Sequence, residues 1–361
     1  MNSDFSFVLS AAAFNNGQQA RPDLVAKTHP WRPQNMPIKH LFRPFTQGLM
    51  ACLLLTLGSG TLAQGYPVKP IRMVVPWPPG TPADVSGRIV AEKLSGGLGQ
   101  PIVVDNKPGA AGTIGMADAL RQPADGYTLY LLSSASLVAP LLFPAQPLPF
   151  HQLEPVGHLA WSYNVLVAPV SSALKGPSDI VQTAKAKPGS LSFASGGNGT
   201  PAHLAGELFK QQTGTVTTHV PYNQFGLAIG DLIADRTNFM FLTASAAIPQ
   251  INGGKLKPMA VTGAKRLPAL KDVPTMAEQG FGDFVLRSFD GMMVKTGTPK
   301  EVVERLNTEL NKALSLPDVR ERLAALALET EPMSSTQFGA VIAAETEKWQ
   351  RIGRAAQIKA D

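Results

Sequence analysis

A chain of 361 residues, 44% hydrophobic and 16% charged, can bury a sizeable core, which excludes a disordered or collagen-like polymer. Its net charge of +6 is no nucleic-acid signature, because residues 1–63 carry half of it and no basic run with interleaved aromatics follows. The single cysteine, Cys52, excludes an internal disulfide.

Residues 1–35 lack the order of a targeting signal, and Met36 is the more natural start. Lys39, His40 and Arg43 then precede an apolar stretch at 48–60, and Thr61-Leu62-Ala63 places small residues at −3 and −1. This is the pattern of a secretory signal peptide, cut after Ala63 and followed by Gln64. The apolar run falls short of the roughly 20 residues that a transmembrane helix needs. Acylation of Cys52 is disfavoured, since "LLLTL" prolongs the apolar run beyond it. The mature chain is therefore expected in the periplasm, without a thiol nucleophile or thiolate metal site.

From Tyr66 onward, short β-rich runs alternate with helical patterns. "IRMVV" (71–75), "IVV" (102–104) and "TLYLL" (128–132) have the look of buried parallel strands. Between the first two, Val85, Ile89, Val90, Leu94 and Leu98 form one helical face. "LSFA" (191–194), "VTTHVPY" (216–222), "NFMFL" (238–242) and "MAVT" (259–262) continue the alternation, which predicts an α/β fold with parallel-rich sheets. The last third reads as helical. Thr298 with Pro299 and Glu301 suggests a capped helix start, and a final helix is expected from about Ser335.

Three loops follow strands and precede helices. The first, "PWPPGTPAD" (76–84), has four prolines without amide hydrogens, so its donors are the amides of Gly80, Thr81, Ala83 and Asp84. A helix starting near Pro82 would aim its first amides and its dipole at an anion there. Asp84 fits either that site or an ordinary helix-start role. The second loop, "SGGNGTPAHLAGELF" (195–209), is an anion cradle in outline, with Gly196, Gly197 and Gly199 beside Ser195, Asn198 and Thr200. Its plainer reading is a turn with Thr200 as N-cap and His203 as a packing residue. The third, "NKPGAAGTIG" (106–115), has misplaced glycines for a dinucleotide fingerprint and no acid about 20 residues on, so no nucleotide cofactor is expected.

Catalytic constellations are missing. His151, His158, His203 and His219 show no metal-ligand spacing, and no G-x-S-x-G elbow occurs. Neither metal nor cofactor is expected.

The motifs "YPVKPIRMVVPWPPG", "LGQPIVVDNKPGAAGTIG", "DGYTLYLLSS", "AKPGSLSFASGGNGTPAHLAGELF", "HVPY", "GGKLKPMAVTGAKRLPALKDVPTMAEQG" and "GTPKEVVERLN" stand in order from Tyr66 onward. In these the chain resembles the Bug (Bordetella uptake gene) family, the TctC-like extracytoplasmic solute receptors of tripartite tricarboxylate transporters. The resemblance implies a type II periplasmic binding protein: two α/β lobes joined by crossing strands, closing on a small carboxylate without catalysis. It places lobe one at 64–164 plus 290–361 and lobe two at 165–289, after an extension and signal at 1–63, with crossings near 164–169 and 289–294. Site positions carried over are Trp77, Pro78, Gly80 and Asp84 in loop one, then Ser133 and Ser134. In lobe two they are Ser195, Gly196, Asn198, Gly199, Thr200, His203 and Tyr222.

Three departures bear on the ligand. Thr81 and Pro82 stand where the family has flexible residues, Phe225 enters the segment after Tyr222, and Leu242 occupies the usual aspartate position. Together they favour a monocarboxylate with an apolar or aromatic body over an amino acid or citrate. The implied partners are membrane transporter subunits serving a monomeric receptor, with no nucleic acid. A sensor module for a membrane histidine kinase is the alternative output, and a secreted hydrolase or isomerase using Asp84 and His203 is the outlying one.

Overall fold

Two sets of short parallel strands are joined through a pair of long antiparallel strands. The structure, a computed structural model, describes residues 65–144, 149–282 and 284–359. The expected signal, its cut after Ala63, Met36 and Cys52 lie outside the described residues.

The first parallel set is β1 (Ile71–Val75), β2 (Ile102–Asn106) and β3 (Thr128–Ser133), with β1 in the middle. Helix α1 (Pro82–Leu98) joins β1 to β2 and buries Ile89, Val90, Leu94 and Leu98. Pro82 supplies a pre-set φ at its first turn, and Gly99 at φ 71° ends it in the left-handed conformation that favours glycine. Helix α2 (Thr113–Leu120) follows the third loop, and β3 runs into 3-10 and α turns spanning Ser134–Val138 and Ala139–Leu142.

Strand β4 (Leu153–Pro169) is far longer than the crossing segment expected at 164–169. Its nearly unbroken burial on both faces explains this, because no alternation marks a continuous apolar run as one strand. From Leu153 to Tyr163 it pairs with β9 (Arg287–Lys295). From Asn164 onward its partners are β7 (Phe239–Thr243) and β8 (Leu256–Val261). The second parallel set is β5 (Ser192–Ser195), β6 (Thr218–Pro221) and β7, with β5 in the middle. The strand order is β2-β1-β3-β9-β4-β7-β5-β6, with β8 also on β4. The fold is thus two α/β lobes joined by crossing strands.

Helices α3 (Pro177–Ala186), α4 (Pro201–Thr213), α5 (Phe225–Ile233) and α6 (Ala244–Asn252) serve the second sheet. The chain then adds α7 (Lys300–Ser315), α8 (Pro317–Ala325) and α9 (Ser335–Ala355). The capping box found is Ser334 with Gln337, at the start of α9. The one expected at Thr298 does not form: Pro299 holds the N-cap place of α7, and Thr298 Oγ1 donates to Lys295 O at 2.7 Å. One apolar cluster links Trp161, Phe289 and Phe338 through β4 to Phe193, Phe239 and Phe241 of the second sheet. Another packs Met73, Leu94, Met292, Leu306 and Leu310 on the opposite face of the first sheet.

Candidate functional site

In open α/β sheets, ligands settle beyond the carboxyl ends of parallel strands. Loop one leaves β1, Ser133 and Ser134 end β3, loop two leaves β5, and Thr243 ends β7. All four segments therefore fall where this rule looks for a site.

Loop one is closed by its own acid. Asp84 is 2% exposed; Oδ2 accepts from Gly80 N at 2.9 Å, and Oδ1 accepts from Asn106 Nδ2 at 2.8 Å. Arg88 Nε reaches both oxygens, at 3.0 and 3.1 Å. Burial raises the carboxyl's pKa, but the bonds from Arg88, Asn106 and Gly80 outweigh it and hold Asp84 below the usual carboxylate value. These are the contacts of a helix-start residue, and they change the donor inventory of the loop. The Gly80 amide serves Asp84, and Thr81 donates through both N and Oγ1 to Pro78 O, at 3.3 and 2.8 Å. Helix geometry leaves the amides of Ala83 and Asp84 without intrahelical acceptors, because Val85 N is the first to bond back, to Thr81 O at 3.0 Å. Pro78 and Gly80 are exposed, and the buried Trp77 Nε1 has no partner.

The third loop buttresses the first. A Cβ on Gly115 would sit 3.0 Å from Pro76 Cβ, and one on Gly112, where φ is 93°, would sit 2.7 Å from Ser136 Oγ and 3.4 Å from Pro76 Cβ. Ala110 and Ala111 hold φ values of 46° and 52°, a left-handed strain of about 1–2 kcal/mol each. Beyond Ser133, the buried Ser134 Oγ accepts from Phe289 N at 3.2 Å. Ser136, absent from the sequence-derived residues, is fully buried with an unpartnered hydroxyl. A serine between apolar residues gave no pattern to find it by.

Loop two is built on a pair of stacked imidazoles. The rings of His203 and His219 lie 3.9 Å apart and 7° from parallel. Burial lowers His203 to about 4 and His219 to about 3, with Lys210 adding to both and His203 adding to His219. Both rings are neutral at neutral pH. Unprotonated His203 Nδ1 accepts from Gly199 N at 3.1 Å, and Ser195 Oγ meets His219 Nε2 at 2.7 Å. Gly197 N donates to Ser195 Oγ at 3.1 Å, and Gly197 O accepts from Thr200 Oγ1 at 2.7 Å. Thr200 is also the N-cap of α4, accepting from His203 N at 3.4 Å. The expected cap is present, and the amides of Gly197, Gly199 and Thr200 bond within the loop. Asn198 stands half-buried at its crest. Tyr222 N donates to Ser195 O at 3.1 Å, while its hydroxyl donates to Asp231 Oδ2 at 2.8 Å. Phe225 lies against Gly196, whose Cβ would be 2.8 Å from Phe225 Cδ2.

Leu242 requires a correction. The family position it occupies implies a ligand contact, but its side chain is 0% exposed in the core, because both faces of β7 are covered and Phe239, Met240 and Phe241 are buried with it. The next residue, Thr243, carries a buried hydroxyl without a partner.

The segments gather round Ser134–Leu142. A Cβ on Gly112 would meet Ser136 Oγ at 2.7 Å and Pro76 Cβ at 3.4 Å, and a Cβ on Gly199 would meet Val138 at 3.3 Å and Leu142 at 2.6 Å. Pro76 at the start of loop one, by way of the third loop, and Gly199 of loop two thus approach one segment, 134–142, called the seam below. A cavity of about 750 Å³ opens elsewhere, beside β4, between residues 264–269 and 320–331, with Trp161, Tyr163 and Arg287 at its base. None of the sequence-derived residues lines it. Among the described residues no group of three His, Cys, Asp or Glu could hold a metal, and no helix is long and apolar enough to cross a membrane. Asp84 and His203, the acid–base pair of the outlying enzyme reading, are engaged in separate loops.

A family model described as the tripartite tricarboxylate transporter family receptor matches residues 86–358. Protein BugT of Bordetella pertussis is 35% identical over 295 residues, spanning 81% of this chain and 90% of BugT. The solved structure of R. palustris Rpa4515 with adipate is 29% identical, with a TM-score of 0.74 over 81% of this chain and 99% of that one. MatC (Rpa3494) from Rhodopseudomonas palustris with bound malate is 27% identical, with a TM-score of 0.71 over 80% of this chain and 99% of MatC.

Proposed function

The chain belongs to the tripartite tricarboxylate transporter receptor family, and from that premise we propose that it is a periplasmic solute receptor. It captures a small carboxylate between its lobes and passes it, chemically unaltered, to membrane transporter subunits. One observation carries the reading: two proline-started helices, α1 and α4, begin at loops that border one seam. Their first amides and dipoles supply what a carboxylate needs. In this reading Ala83 and Asp84 offer backbone amides, while Trp77, Pro78, Gly80 and Thr81 shape the loop. Ser133 and Ser134 close one side, and Ser195, Gly196, Asn198, Gly199, Thr200, His203 and Tyr222 form the opposing wall. Ser136 and Thr243 join them, each with a hydroxyl still to be satisfied.

The change of β4 partners between Tyr163 and Asn164 supports lobes of 64–164 plus 290–361 and 165–289. The signal pattern ending at Ala63 supports export of the receptor. Phe225 and Leu227, 36% and 58% exposed beside loop two, support a ligand with an apolar body. No unpaired acid stands in either loop to receive an ammonium group. Calorimetric titration with benzoate, adipate, malate, glutamate and citrate tests this. Micromolar binding of an apolar-bodied acid is expected; tight binding of glutamate alone would refute the ligand class, and silence toward every acid would refute the receptor.

A further inference from the structure

One buried carboxylate plays no part in the loops. Asp290, on crossing strand β9, is 7% exposed and has Ser133 of β3 and Ala160 of β4 as register partners. Its Oδ2 accepts from Ser86 Oγ at 3.4 Å, and that hydroxyl also reaches Ala83 O at 3.1 Å. The acid therefore lies beneath the first turns of α1, the helix whose terminal amides face the proposed ligand.

No Lys, Arg or His among the described residues forms an ion pair with Asp290. The titratable groups on each neighbouring element are spent or turned away. On α1, Asp84 and Arg88 bond each other. On β3, the Tyr130 hydroxyl donates to Gly112 O. On β4, His158 lies tilted on Trp161 and edge-on to Phe338, with Nδ1 3.1 Å from Glu331 O, which turns it toward the other face of the sheet. On β9 itself, Arg287 is three residues away, hence on the opposite face, with its guanidinium 3.5 Å from the Trp161 ring centroid. Burial dominates and pushes the Asp290 carboxyl up to about 7, with hydrogen bonds from Ser133 and Ser86 pulling the other way.

We propose that Asp290 takes up a proton when a carboxylate is captured at the start of α1, so that the receptor loads acid and proton together. This rests on the receptor reading above. A ligand oxygen at the α1 amides brings a second negative charge close to one that has no counter-cation. Like charges in one site strengthen proton binding by the weaker acid. The proton passes from solvent to the Asp290 carboxylate, and no bond of the ligand changes. An acid half-ionised near neutrality, strengthened about tenfold in proton affinity, gains about 0.4 proton per ligand at pH 7. Ligand affinity then weakens about 3-fold per pH unit between pH 7 and 8.

The exported protein is titrated calorimetrically with adipate, malate and benzoate at pH 7, in phosphate and in Tris, buffers with very different protonation heats. The expected result is a buffer-dependent enthalpy that reports proton uptake, abolished in Asp290→Asn along with the pH dependence of affinity. Ser86→Ala provides a second variant with the acid in place: losing a bond to the ionised form shifts the uptake to higher pH. Equal enthalpies in both buffers, or uptake that persists in Asp290→Asn, overturn the proton coupling while the recorded binding leaves the receptor reading standing. Absence of heat with all three acids, confirmed by unchanged melting temperatures, overturns both.

Discussion

Replacing Asp84 by alanine tests whether loop one is held by its own acid. The substitution removes acceptors from Gly80 N, Asn106 Nδ2 and Arg88 Nε. None of these donors is then stranded in a dry interior. Gly80 is exposed, the Arg88 side chain is 49% exposed, and Asn106 Nδ2 keeps Trp77 O at 3.0 Å. The full penalty for breaking a buried pair, roughly 3–5 kcal/mol, therefore does not apply. Two hydrogen bonds to the ionised carboxylate at about 1.5 kcal/mol each, the low end for a charged acceptor, and a half-exposed ion pair at up to about 1 kcal/mol predict a loss of about 3–4 kcal/mol. For a domain of this size that is a fall in Tm of roughly 6–10 °C. Urea denaturation at pH 7 gives the stability, and calorimetry gives the affinity for whichever acid binds the wild type. Carboxylate affinity should fall with stability, since the amides of Ala83 and Asp84 lose the turn that aims them. A loss below about 0.5 kcal/mol, the ordinary scatter of surface substitutions, would refute the staple.

Gly199→Ala probes the seam itself. With φ at 76° and a Cβ 2.6 Å from Leu142 Cδ1, it should cost about 1–2 kcal/mol for backbone and at least 1 kcal/mol more for overpacking. Gly189→Ala, also at φ 76° but with nothing within 4 Å, isolates the backbone share, so equal urea midpoints would mean that loop two does not meet Leu142 in solution. The imidazole stack predicts acid sensitivity. Both rings bind protons less readily folded than unfolded, where the value is 6.5, so their stabilisation is complete above that pH and is lost as pH falls toward about 4 and about 3. Each ring should add about 1.4 kcal/mol per pH unit to the slope of stability in that window, and His219→Phe should remove one ring's share. A slope unchanged in the variant would speak against a neutral stack.

Much of the fold was legible because apolar runs bounded by Pro, Gly or Asp admit few readings. β1 matches its expected limits at Ile71 and Val75, and the helix starts at Pro82 and Pro201 follow from proline's fixed φ. Where the reading fell short, tertiary context decided. Nothing local tells that "VGHLAWSY" continues into "NVLVAP" as one strand, because both of its faces are buried. Leu242 was placed by likeness to an aspartate position, whereas both faces of β7 are covered, so its side chain lies in the core and the next residue stands at the strand end. The amides counted as free in loop one depended on where Asp84 points, a choice between two rotamer-level outcomes that spacing does not encode. Ser136 and Thr243 gave no signal at all: a lone hydroxyl becomes interesting only when burial deprives it of partners.

The charge balance round the seam carries one more consequence. Arg88 is committed to Asp84 and to Asn106 Oδ1 at 2.7 Å, and Lys210 to Glu207 at 2.8 Å. In the proposed arrangement carboxylate capture rests on amides, hydroxyls and helix dipoles, because the Arg88 and Lys210 side chains beside the two loops are already paired. Salt screens the attraction between net charges over about 10 Å at 0.1 M, but it acts weakly on short contacts to oriented dipoles inside a closed cleft. Affinity for the bound acid should therefore change less than about 2-fold between 50 and 500 mM NaCl, whereas a clamp of free cations would lose far more. Titrations across that range decide between them. A drop of tenfold or more would mean that a lysine or arginine, unpaired in the bound state, holds the ligand, and the backbone account of recognition would fail.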